Sequence, residues 1–173
     1  MIPIPTQDDI LAENLLRRGV LYLSGSAPDA PALDDIALVA GLVSSANARV
    51  RHGLAAWMLA YPEAHPAVPP ASATLEAGAL ERLRFIYSAA VRLQALYAQD
   101  LKPLCAVWVR LPDYFGPTLT PEAQADDPAR ALAGLAQQQA TESSALVDWE
   151  GTYRHIARGV IRRLGKERSW AVR

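Results

Sequence analysis

The sequence predicts an all-α fold: a compact helical bundle of five to seven helices around one long, proline-kinked central helix, with an αα-hairpin near the N-terminus. Three observations predict it. Across residues 75–111, Leu80, Leu83, Tyr87, Ala90, Gln94, Tyr97, Leu101, Leu104, Trp108 and Leu111 recur at alternating steps of three and four, the repeat of one helix face. Capping residues and prolines bracket the other periodic stretches. Hydrophobic residues make up 51% of the 173 and charged residues 20%, which is enough apolar material for a core and too little charge for a disordered chain.

In chain order, Met1–Pro5 alternates Ile and Pro and reads as extended. Thr6 or Asp8 then caps a helix that runs to Arg18, with Ile10, Leu11 and Leu15 apolar and Gly19 at its C-terminal end. Val20–Leu23 reads as a further helical turn, because a lone strand has nothing to pair with, and Ser24–Pro31 reads as a loop. Residues 32–44 form the first arm of the hairpin, with Leu33, Ile36, Ala37, Ala40 and Val43 inward. After a break at Ser44–Asn47 the second arm carries Val50, Leu54, Trp57, Met58 and Tyr61 and stops at Pro62.

Four prolines make 62–73 a linker without helix, and Ser72 or Thr74 stands where a cap for the long helix belongs. That helix would run about 50 Å over 75–111 and kink where Pro103 removes a backbone hydrogen bond. Pro112 and Gly116 end it, Thr118–Asp127 is acidic loop, and Pro128 opens a helix through Thr141. A last helix spans Ser144–Gly165, with Leu146, Trp149, Tyr153, Ile156, Val160 and Leu164 inward. One domain over 1–173 follows, with 6–61 and 74–173 as its two groups of helices joined by 62–73.

The net charge of -1 conceals a division along the chain. Residues 111–150 hold seven acids and one base, and residues 151–173 hold seven bases and one acid. Lysine occurs only at Lys102 and Lys166; the arginine and alanine bias is what a GC-rich bacterial genome produces, so arginine content alone says little about phosphate. A single cysteine, Cys105, excludes an internal disulfide and fits a reducing cytoplasm, where it reads as a small buried hydrophobe. The longest apolar run, Ile36–Val43, is too short for a membrane span, and the chain reads as a soluble cytoplasmic protein.

No catalytic, cofactor or metal site is predicted. His52, His65 and His155 lack second ligands at helical spacing, no G-x-S-x-G or phosphate-binding glycine loop occurs, and nothing ties Cys105 to a histidine. Three features bear on binding instead. Residues 36–54 resemble a helix-turn-helix, with Ala40 where the helices cross and Asn47, Arg49, Arg51 and His52 at the start of the second helix, although Gly53 stands where an apolar residue belongs. Arg154, Arg158, Arg162 and Lys166 lay a basic face on the last helix, flanked by Arg163 and His155. Trp108, Arg110, Tyr114 and Phe115 form a candidate partner surface at a Pro-Asp-Tyr-Phe-Gly turn. The expected function is therefore a non-catalytic interaction or adaptor subunit that meets a protein partner or forms a homo-oligomer. The alternative is a nucleic-acid-associated regulator that uses the hairpin or the basic helix, and an enzyme ranks third.

Overall fold

A computed structural model describes residues 4–21, 23 and 27–171. The readings of Met1–Pro3, Tyr22 and Ser24–Ser26 lie outside the described residues. Among the described residues there are eight α-helices and no strand: α1 (Gln7–Arg17), α2 (Asp35–Ser44), α3 (Ala48–Ala60), α4 (Val68–Ser72), α5 (Ala77–Leu96), α6 (Ala98–Leu101), α7 (Pro128–Ser143) and α8 (Trp149–Ala171). The count exceeds the expected five to seven because α4 and α6 are single-turn pieces of stretches read as linker and central helix.

Local chemistry sets the ends of α1 and of the hairpin. Thr6 and Asp9 form a reciprocal capping box on α1. At its other end Gly19 takes φ +78°, and the Gly19 and Val20 amides donate back to Leu16 and Leu15, the paired bonds of a Schellman motif. Val20 and Leu21 leave this motif outside any helix, so the helical turn expected there does not form. Asp34 caps α2 and Asn47 caps α3. The hairpin forms with a different inward face on α2: Leu38, Val39, Leu42 and Val43 are buried while Ile36 is exposed. The helix is apolar nearly all round, so period alone does not choose its face.

The element at the centre is α3. From Gly53 to Ala60 every residue is buried, and the helix touches α1, α2, α5, α8 and the 3-10 segment Pro62–Ala67. Gly53 explains itself here. A Cβ at this position would lie 2.7 Å from the Leu15 side chain, so glycine is what allows α1 to approach α3.

Residues 75–111 do not form one kinked helix. α5 ends at Leu96, α6 adds one turn, and Leu104 and Cys105 close hydrogen-bonded turns onto Leu101. Pro103 therefore lies beyond the helix end rather than at a kink, consistent with the roughly 3 kcal/mol that a proline costs in a helix interior. The remaining stretch, 106–113, crosses the bundle as an irregular strap. Gln94 binds it through Val109 and Leu111, and the Tyr87 hydroxyl donates to the Pro112 carbonyl. Buried Arg92 donates to the Ala123 carbonyl and pairs with Asp113 at 2.7 Å, fastening both the strap and the 3-10 turn Glu122–Gln124 to α5.

The 62–73 stretch is also more regular than expected. It folds into the 3-10 segment and α4, and Val68 and Ala71 are buried. Ser72 and Thr74 bond back to Pro69 and Ala71 instead of capping α5, whose N-cap is Glu76 without a side-chain bond. A 3-10 turn, Gly116–Thr118, leads into the acidic loop, which contains a second, Glu122–Gln124. The last helix starts at Trp149 and not at Ser144, which leaves Leu146 fully exposed.

The buried side chains form one continuous cluster that runs from α1 to α8. Leu83 is 0% exposed within it, whereas Leu104 is partly exposed beyond the end of α6. Leu83→Ala should therefore cost about 2 to 5 kcal/mol in denaturant unfolding. Leu104→Ala should cost less than half as much in the same measurement, and equal losses would contradict this placement.

Candidate functional site

The register of α8 produces the site. Asp148 accepts from the Gly151 amide at 2.8 Å and starts the helix, and Tyr153, Ile156, Ala157 and Val160 are buried against the core. With that stripe inward, Arg158, Arg162, Arg163 and Lys166 stand in solvent. With His155, Gly159 and Trp170, three of these cations (Arg162, Arg163 and Lys166) line a groove of about 610 Å³ whose facing residues include Leu21 and Arg49. Glu167 is the one acid among the lining residues. A narrow apolar slot adjoins the groove, formed by Gly19, Val20, Leu21, Ala56, Ala60, Val160 and Leu164 and sharing Gly159 and Arg163 with it.

Charge in the groove is little compensated. Arg154 is tied to Glu150 at 2.8 Å, and that hydrogen bond raises its pKa. Among the described residues, no carboxylate lies within ion-pair distance of Arg49, Arg158, Arg162, Arg163 or Lys166. The predicted basic face thus divides: Arg154 belongs to an internal pair, and Arg158, Arg162 and Lys166 face solvent. Arg49 was legible only as part of the hairpin, since no pattern along the chain links it to a helix more than a hundred residues later. Trp170 is 73% exposed at the groove's end.

The helix-turn-helix residues are mostly engaged in the fold. Asn47 caps α3 by accepting from Arg49, and Arg51 donates to the Ser45 and Ala46 carbonyls. His52 packs against Trp149 and Tyr153, with ring centroids 6.4 and 6.2 Å away. Beyond its first turn α3 has no exposed face to lay in a major groove.

The aromatic corner is only partly assembled. Tyr114 stacks on buried Tyr87 at 5.5 Å, Phe115 meets the same ring edge-on, and the Tyr114 hydroxyl lies 2.7 Å from His65 Nδ1. Arg110 is exposed and Trp108 half-buried on the strap, and the Tyr114 and Phe115 rings pack on Tyr87 instead. Cys105 is half-buried, lies 3.4 Å from the Leu59 carbonyl, and has its thiol pKa raised by burial. Among the described residues no three His, Cys, Asp or Glu side chains are grouped to hold a metal ion. No helix among them is long and apolar enough to cross a membrane.

No family model, curated protein or solved structure matches the chain. The site is therefore read from its own chemistry.

Burial, reinforced by the neighbouring Arg51, lowers the His52 pKa from 6.5 to about 4. The folded state rejects a proton that the unfolded chain accepts, so this contribution to stability is complete above pH 6.5 and is lost as pH falls toward 4. The stability difference between the wild type and His52→Gln should therefore shrink on acidification through that window, by at most about 1.4 kcal/mol per pH unit. Chemical denaturation at several pH values measures it, and a pH-independent difference would place His52 in solvent.

Proposed function

We propose that the protein is a non-catalytic interaction subunit, an adaptor, that binds another macromolecule through the basic groove, and that this macromolecule is a protein with an acidic face. The observation that carries this reading is the mixed chemistry of the groove: uncompensated arginines and a lysine beside an apolar slot, with Leu21 and Trp170 at its edges. Arginine and tryptophan around an apolar centre are the composition of protein interfaces. Phosphate binding needs the cations but makes no use of the slot. A single half-buried cysteine supports a cytoplasmic setting, and the continuous core supports one domain acting as a unit.

The meeting of Arg49 with the α8 cations favours a second reading, a nucleic-acid-associated regulator. Its contacts would be to phosphate, because α3 is covered on its other sides.

Two fluorescent probes separate these readings: an acidic peptide carrying leucine and valine, and a DNA or RNA oligonucleotide of similar charge. The peptide should bind at physiological salt, and Arg158→Glu with Arg162→Glu should abolish binding while leaving the fold intact, since both positions are exposed. Tight oligonucleotide binding with a log-log salt slope of about -3, lost in the same variant, would overturn the protein reading in favour of the second.

A further inference from the structure

The acidic partner face proposed for the groove has a counterpart on the same chain. Between α7 and α8, Leu146 is 109% exposed and Val147 44% exposed, an apolar pair in a loop that joins two core helices. Glu142, Asp148 and Glu150 flank that pair. Each of these carboxylates has a local partner (Arg84 for Glu142, the Gly151 amide for Asp148, Arg154 for Glu150), yet a carboxylate has about four acceptor positions and retains capacity for a second cation. The chain thus presents an apolar knob among acids and, along the same helix, an apolar slot beside cations.

We propose that the groove's occupant is a second copy of this chain. The two copies pair through α8, antiparallel about a two-fold axis near Arg154 and His155, and each lays Leu146 and Val147 over the mouth of the other's slot. This inference rests on the reading of the groove as a protein-binding surface. From such a crossing point Asp148 and Glu150 lie on one side and Arg158, Arg162 and Arg163 on the other, so one two-fold operation sets each copy's acids, and the knob just ahead of α8, toward the other's cations and slot. The same operation sets Arg162 beside Asp148 of the other copy and Arg158 beside Glu150. Arg154 would meet its own copy near the axis, where Glu150 already neutralises it. The knob is not held in its own slot, because it is fully exposed, and no described residue fills the slot.

Gly159 borders both the groove and the slot, and a Cβ built there meets nothing within 4 Å. A larger side chain is accommodated by the monomer and also raises helix propensity, whereas in the pair it occupies the space of the incoming knob. Gly159→Leu and Leu146→Asp are accordingly two variants on opposite sides of one contact, neither of which removes a packed atom from the monomer.

Sedimentation equilibrium from low micromolar to several hundred micromolar protein tests the pairing. The wild type should move from one 18.7 kDa chain to two, with dissociation promoted by salt. Gly159→Leu and Leu146→Asp should each weaken the pair by at least about tenfold, with helical circular dichroism and melting temperature undiminished. A wild type that stays monomeric throughout, or a dimer indifferent to both variants, overturns the proposal. If the monomeric wild type still binds the acidic peptide, self-pairing alone falls; if it binds neither, the reading of the groove falls as well.

Discussion

The structure depends on the all-round burial of α3. A thirteen-residue helix that touches α1, α2, α5, α8 and the 3-10 segment after it has almost no face left for water. It must be built from apolar and small residues, and Gly53, Ala55, Ala56 and Ala60 provide the close approaches. This constraint extends outward. Because α1 can approach at Gly53, the turn after α1 is brought beside α8, and that turn contributes Gly19, Val20 and Leu21 to the slot. Because α8 covers α3 with Tyr153, Ile156 and Val160, Arg158, Arg162 and Arg163 have no direction left but solvent.

Polar side chains determine where the irregular segments lie. The strap of residues 106–113 has no helix or sheet to satisfy its backbone, and Gln94 and Tyr87 supply the partners. Arg92 performs the same task for the Ala123 carbonyl while pairing with Asp113. Tyr87 and Gln94 read in sequence as members of a helical stripe, and their work is to attach chain that is not helical. The acidic middle of the chain is accordingly engaged in part by local bonds: Asp113 with Arg92, Asp127 at the start of α7, Asp148 at the start of α8 and Glu142 with Arg84.

The proposed binding surface lies where α3 and the turn after α1 meet the last helix. The basic row on α8 gains chemical definition only from what lies opposite it, namely Arg49, Leu21 and the slot. A row of cations on an isolated helix is a solvated face; the same row beside an apolar slot and an exposed tryptophan has the composition of a recognition surface.

The sequence by itself determined the all-helical class, the cap of α1 at Thr6, the opening of α7 at Pro128, the hairpin, and the four-residue spacing that puts Arg158, Arg162 and Lys166 on one face. These are local properties: capping hydrogen bonds, proline's missing amide, and the 3.6-residue period. Tertiary structure decided the rest. Period could not choose the inward face of α2, which is apolar nearly all round, nor separate the helical half of 75–111 from the strap, because Leu101 and Leu111 are buried on both sides of Pro103 and continue the stripe without the helix. It could not set Arg49 and α8 around one groove, since those residues are more than a hundred positions apart and line it together only when both helices pack on one core.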